Sequence, residues 1–145
     1  VPEGTPAQNA MKYVEWYGGK RCQTYTTPFA FFFALFCEFE FTMDGAAAGA
    51  ADALLPKFSS PSNPLPWEGE RVFCNPPWSN IRPFVELAPA SSFACLLVPA
   101  RTNARWFHRA LALGATPRFW EGRLKFGAAK SSSPVDCLLL LFGKP

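Results

Sequence analysis

The sequence is poor in the features that would hand its chemistry to a metal, a disulfide framework or a membrane. Its five cysteines (Cys22, Cys37, Cys74, Cys95, Cys137) form no C-x-x-C pair, and four lie inside apolar stretches. They read as reduced, buried small side chains rather than zinc ligands or cross-links. Histidine occurs once, at His108, and reads as a surface residue of a helix, so no general base of that kind sits beside the polar motifs. The longest apolar run, Phe29 to Cys37, is too short to span a bilayer. No leader of signal-peptide shape opens the chain, so a soluble intracellular protein is expected. The chain starts at Val1 rather than a methionine, as an excised domain would. Neither an internal repeat nor a Gly-rich dinucleotide fingerprint is present.

What is present is enough for one domain with a core: 145 residues, 49% hydrophobic and 16% aromatic, with 15 Phe and 5 Trp. The net charge of +3 is unevenly spread. Residues 1–70 carry 4 Lys/Arg against 8 Asp/Glu, whereas residues 71–145 carry 10 against 3. A basic C-terminal half suits a polyanionic partner.

The first two dozen residues mix Pro, Gly and polar groups with Tyr13, Trp16 and Tyr17 and read as an extension lying over the core. Thr27 as N-cap and Pro28 as first helical residue predict a Phe-rich helix to about Glu38, buried on most sides. Phe39 to Met43 tends toward strand and ends at Asp44, before the small-residue run Gly45 to Ala51. Strand, acid and small-residue turn suit the first βα junction of a nucleotide-binding sheet, or an Ala-rich helix capped by Asp44. Pro56 to Pro66 reads as a loop with little order of its own. A strand over Arg71 to Cys74 follows, then a helix from about Ile81 to Ala88 and a buried strand over Phe93 to Val98. Asn103 caps a helix over Ala104 to Leu113, stopped by Gly114, with an apolar stripe (Phe107, Ala110, Leu111) opposite Arg105, His108 and Arg109. Arg118 to Trp120 and Cys137 to Phe142 make a last pair of strands, and the alternation argues for α/β.

Asn75-Pro76-Pro77-Trp78, directly after the apolar run Val72 to Cys74, is the most specific signal. An exocyclic amine such as adenine N6 is a poor nucleophile until acceptors hold its hydrogens. The Asn75 side-chain oxygen and the Pro76 carbonyl are such acceptors. The prolines stiffen the turn, and Trp78 offers a flat face for a flipped base. The plainer alternative is a Pro-Pro turn that ends a strand, with Trp78 in the core.

Together with that turn, four further blocks appear in order: Thr27-Pro28 before an aromatic helix, Phe41-Thr42-Met43-Asp44 before alanines, Leu97 to Thr102 with Trp106-Phe107, and Gly122-Arg123-Leu124-Lys125-Phe126. From about Thr26 to Phe142 the chain resembles the phage-type, Dam-like DNA adenine-N6 methyltransferases. The resemblance implies a single methyltransferase domain over residues 1–145, with residues 1–25 as its extension and 26–142 as its catalytic core. The implied fold is a compact, Rossmann-like class I methyltransferase with a mixed sheet and an antiparallel terminal strand. S-adenosyl-L-methionine is the implied cofactor and DNA the implied partner. Thr27, Pro28, Asp44, Ala46 and Ala47 match cofactor positions; Asn75, Pro76, Pro77 and Trp78 match the catalytic block, with Trp78 where Tyr is usual. Arg101, Thr102, Arg105, Arg123 and Lys125 are expected on the substrate side.

Two positions depart from the family pattern at implied cofactor contacts. Asp52 stands one residue away from a customary Asn, and Asn63 takes the place of an acid before Leu65-Pro66-Trp67. Alternative readings are methyl transfer to RNA amines or protein glutamine amides, and a degenerate domain that binds without turnover.

Overall fold

A strand that is apolar at every position needs cover on both faces of its sheet. The segment Phe93–Pro99 is such a strand, and all seven of its residues are buried. It lies at the centre of a computed structural model that describes residues 27–122, 124 and 136–145. The expected N-terminal extension, Arg123 and Lys125 lie outside the described residues.

The elements run α1 (Phe29–Phe39), β1 (Met43–Asp44), β2 (Arg71–Cys74), α2 (Arg82–Leu87), a 3₁₀ turn (Ala88–Ala90), β3 (Phe93–Pro99), α3 (Arg105–Ala112), β4 (Thr116–Arg118) and β5 (Cys137–Gly143). They form a mixed five-stranded sheet in the order β1-β2-β3-β5-β4. Strands β1, β2 and β3 are parallel, and β5 runs antiparallel to both neighbours. The last strand of the chain is thus antiparallel, as expected, but lies inside the sheet with β4 at the edge.

Period-two alternation sorts the core into two layers. Phe73, Phe93, Cys95, Leu97, Leu139 and Leu141 face α1, whose Phe32, Leu35, Phe36 and Phe39 are buried against them. Val72, Cys74, Ala94, Leu96, Val98, Leu138 and Leu140 face the opposite way, onto Val85 of α2 and Phe107 and Ala110 of α3. Helices therefore cover both faces. The C-terminus of α1 is tied to the start of β2, since Arg71 Nε and Nη2 donate to the Phe39 carbonyl at 2.8 and 2.7 Å. At the far edge Arg118 of β4 meets Glu38 at 2.7 Å and lies over the Phe39 ring.

Several local expectations are corrected. Pro28, not Thr27, is the N-cap of α1, and Ala104, not Asn103, is that of α3; neither helix has a side-chain cap. Helix α1 buries one face rather than most of its circumference, and Cys37 is exposed. Leu111 lies outside the buried stripe of α3, 39% exposed. No helix follows β1: residues 45–70 return to β2 through turns. The segment after Pro56 is more ordered than its composition suggests, because it lies along the open edge of β1. Asp44 N–H donates to the Lys57 carbonyl, Ser59 N–H to that of Asp44 and Ala47 N–H to that of Ser59, at 2.9, 2.9 and 3.0 Å. β4 ends at Arg118, so Phe119 and Trp120 leave the sheet. Among the described residues no helix is long and apolar enough to cross a membrane.

Candidate active site

Parallel strands gather their C-terminal ends on one edge of a sheet, where ligands of open α/β folds bind. Here that edge carries the turn after β1, the Asn-Pro-Pro-Trp turn after β2 and the Ala100–Asn103 segment after β3. Asp44 is paired in register with Phe73, so the ends of β1 and β2 stand side by side and Asn75 follows one residue beyond β2.

Asn75 is half-buried, and its amide Nδ2 donates to Thr27 Oγ1 at 3.1 Å. Thr27 is only 2% exposed, so this hydrogen bond to the Asn-Pro-Pro-Trp turn lies inside the structure. Pro76 is buried and Pro77 exposed. The Pro77 carbonyl accepts from Asn80 N–H at 2.9 Å, which closes the turn. The Pro76 carbonyl accepts no hydrogen bond among the described residues. Trp78 is half-buried and packs against the core layers on both faces of the sheet, bridging them at the strand end. It is therefore a packing residue that is not fully buried, with its indole nitrogen inside the structure.

Asp44 is 3% exposed and organises the turn after β1. Its Oδ1 accepts from Ala46 N–H at 3.1 Å and its Oδ2 from Leu54 N–H at 2.9 Å. Burial pushes its carboxyl from the ordinary 3.8 up to about 6, offset in part by those two hydrogen bonds and reinforced by the charge of Asp52. Ala47 is buried, while Ala46 and Asp52 are half-buried on the same turn. Gly45 is required for packing: a Cβ there would stand 2.6 Å from Trp67 Cζ2 and 2.7 Å from Val72 Cγ1. Its lack of a side chain admits Trp67, not a ligand. Asn63 is exposed in a tight turn in which its backbone exchanges hydrogen bonds with Ser60.

Beyond β3, Arg101 and Thr102 are exposed, and His108 Nε2 meets the Thr102 carbonyl at 2.7 Å. That contact gives the single histidine a structural use. Arg105 is exposed and forms no ion pair among the described residues. Arg109, by contrast, is bound through Nε and Nη2 to Glu86 of α2, at 2.7 and 3.1 Å. The thiols of Cys74 and Cys95 are pushed up by burial, so neither is a ready nucleophile. No group of His, Cys, Asp and Glu among the described residues could hold a metal ion.

The edge also holds a feature that sequence reasoning missed. Ala100, Phe119, Trp120, Gly122, Asp136 and Cys137 line a cavity of about 470 Å³ at the ends of β3, β4 and β5. Phe119 is 70% exposed. The available signal was an aromatic pair directly after a strand in the basic half, which strand periodicity absorbed instead.

The edge thus unites Thr27 and Pro28, Asp44 to Ala47, Asp52 and Asn75 to Trp78 with the segment from Arg101 to Arg105. Asn63 stands apart in its exposed turn. No curated protein matches the chain. The family model for DNA N-6-adenine-methyltransferase (Dam) matches residues 20–142, which takes in every described element up to Phe142 in β5. The chain belongs to the DNA N-6-adenine-methyltransferase (Dam) family.

Proposed function

We propose that the chain transfers a methyl group from S-adenosylmethionine to the N6 amine of adenine in DNA, on a reduced, Rossmann-like class I methyltransferase fold. The family match supports the reading, and the sheet order with helices on both faces is compatible with it. The observation that carries it is the Asn75 amide: with its nitrogen donating to Thr27, the end it presents to an amine is an acceptor oxygen, beside the Pro76 carbonyl. Two acceptors are what an N6 amine needs for its two hydrogens.

When bound, the cofactor supplies a methyl group on a sulfonium, whose sulfur keeps the electron pair of the broken C–S bond and leaves as a neutral thioether. The chain's part is positioning and charge stabilisation. As the N6–C bond forms, the amine nitrogen becomes positive and then releases one proton to water. The Asn75 oxygen and Pro76 carbonyl stabilise that charge, and no strong base is required. Trp78 would stack on the extruded base.

The donor set at the end of β1 fits the cofactor. Its hydroxyl and ammonium groups need acceptors, and Asp44 and Asp52 are carboxylates on one turn. Each Asp44 oxygen retains acceptor capacity beyond its backbone bond. Ala46, Ala47 and Gly49 add no bulk between them. Pro28 would border the methionine end. Arg101, Thr102 and Arg105, together with Arg123 and Lys125, would face the DNA. The test is incubation with methyl-labelled cofactor and, in parallel, duplex DNA, single-stranded DNA and RNA, followed by digestion to nucleosides. Label in N6-methyldeoxyadenosine is expected. Label confined to RNA or protein would redirect the acceptor, and no label with intact cofactor binding would make the domain a non-catalytic binder.

A further inference from the structure

We infer that Thr27 is a positioning residue for methyl transfer, acting through Asn75 rather than by contact with either substrate; the inference rests on the function proposed above. Thr27 is 2% exposed, and it lies one residue before Pro28, the N-cap of α1, which has no side-chain cap hydrogen bond. Its Oγ1 accepts the 3.1 Å hydrogen bond from Asn75 Nδ2, across 48 positions of sequence. A buried hydroxyl costs free energy unless it is hydrogen-bonded, so the pairing helps to satisfy Thr27 as well as offering an opportunity.

The opportunity lies in the chemistry of a primary amide, whose two ends are opposite in kind and exchange by a half turn about the last side-chain bond. With nitrogen toward Thr27, the other end of Asn75 is an acceptor; turned over, it would set N–H donors against the hydrogens of the amine. The hydroxyl is itself well fixed. Helix α1 is seated on β2 through Phe32 and Phe73, whose rings lie 5.2 Å apart edge to face. Phe73 is two residues before Asn75, so one packing contact sets both partners of the hydrogen bond. A reacting group held by a packed helix and strand is more closely placed than one held by a loop.

The test is steady-state kinetics on the full chain with duplex DNA, with cofactor affinity measured separately by calorimetry. Thr27→Val keeps the shape and removes the hydroxyl; its kcat should fall on the order of tenfold to a hundredfold, with cofactor affinity and melting temperature near wild type. Thr27→Ser keeps the hydroxyl and should return kcat to within about threefold of wild type. In an Asn75→Ala background, Thr27→Val should cost nothing further, since the two act as one unit. A Thr27→Val protein with weakened cofactor binding and unchanged kcat would make Thr27 a cofactor contact and overturn the inference. Equal losses in Thr27→Ser and Thr27→Val, or additive losses with Asn75→Ala, would overturn it too. Should Thr27→Val fail to fold, the Thr27→Ser kinetics and a Thr27→Ala cycle with Asn75→Ala separate the same outcomes. A wild-type chain that methylates no adenine sinks the proposed function; wild-type turnover with an unaffected Thr27→Val sinks only the positioning role.

Discussion

Asp44 is the residue at which structure and function make opposing demands. Its burial favours the neutral acid, yet its proposed use as an acceptor for cofactor hydroxyls favours the anion. Because its folded-state pKa, about 6, lies above the ordinary 3.8, the native state holds the proton more tightly than the unfolded chain. The stability this provides is complete below about pH 4 and is lost as pH rises through about 6. Its size is on the order of 3 kcal/mol. Urea unfolding of wild type and Asp44→Asn across that window should show a difference that moves against wild type with rising pH and then levels off. A pH-independent difference would mean that the carboxyl does not titrate in this window. Cofactor affinity should follow the other direction, rising as Asp44 ionises.

Trp78 carries a second prediction at this scale. The sequence offered a stacking platform and a core residue as alternatives, and in the structure the half-buried side chain packs on both core layers. Trp78→Tyr or Trp78→Phe should keep most activity, since each retains a π-face. Trp78→Ala should lower stability on the order of 2 kcal/mol or more, because the ring packs on both core layers, and also weaken base binding by about 1–3 kcal/mol. Thermal melting beside single-turnover kinetics separates the two losses, and normal binding in a less stable Trp78→Ala protein would remove the platform.

At the scale of elements, α3 illustrates how charge in sequence differs from charge on a surface. Arg105 and Arg109 share its polar face, but Arg109 is tied to Glu86 across the gap to α2, with Arg82 3.6 Å from the same carboxylate. Only Arg105 has its charge uncommitted among the described residues of that face. Arg105→Ala should therefore reduce the slope of log affinity against log salt for duplex DNA by about one, while Arg109→Ala should leave the slope nearly unchanged. Fluorescence anisotropy at several salt concentrations measures both, and equal effects would contradict the assignment.

The same scale shows what the sequence could and could not reveal. Arg71–Cys74 and Phe93–Pro99 were legible almost to the residue, because an unbroken apolar run bounded by turn residues has few other solutions. The caps were not. Thr27 and Asn103 are good N-cap types, but Thr27 finds a partner 48 positions away in Asn75, and sequence neighbours carry no trace of such a bond. The order of residues 57–59 was hidden for a like reason: it comes from pairing with the edge of β1, not from local composition. Of the site, the Asn75 turn was legible because few chemistries need that tetrad, whereas the cavity beside Phe119 depends on three strand ends meeting.

For the whole molecule, the parallel strands set the acid of β1, the amide turn of β2 and the basic segment after β3 in a row along one edge. Under the proposed function these would serve as the donor pocket, the reacting centre and the polyanion surface that methyl transfer onto a DNA base requires. The central claim is that the Asn75 amide acts on the acceptor amine and not on the cofactor. The most direct measurement is the single-turnover rate of methyl transfer to duplex DNA by Asn75→Ala, with cofactor affinity of the same preparation measured by calorimetry. The expected result is a rate lower by on the order of a hundredfold or more at nearly unchanged cofactor affinity. A wild-type rate, or a loss explained entirely by weaker cofactor binding, would contradict the claim.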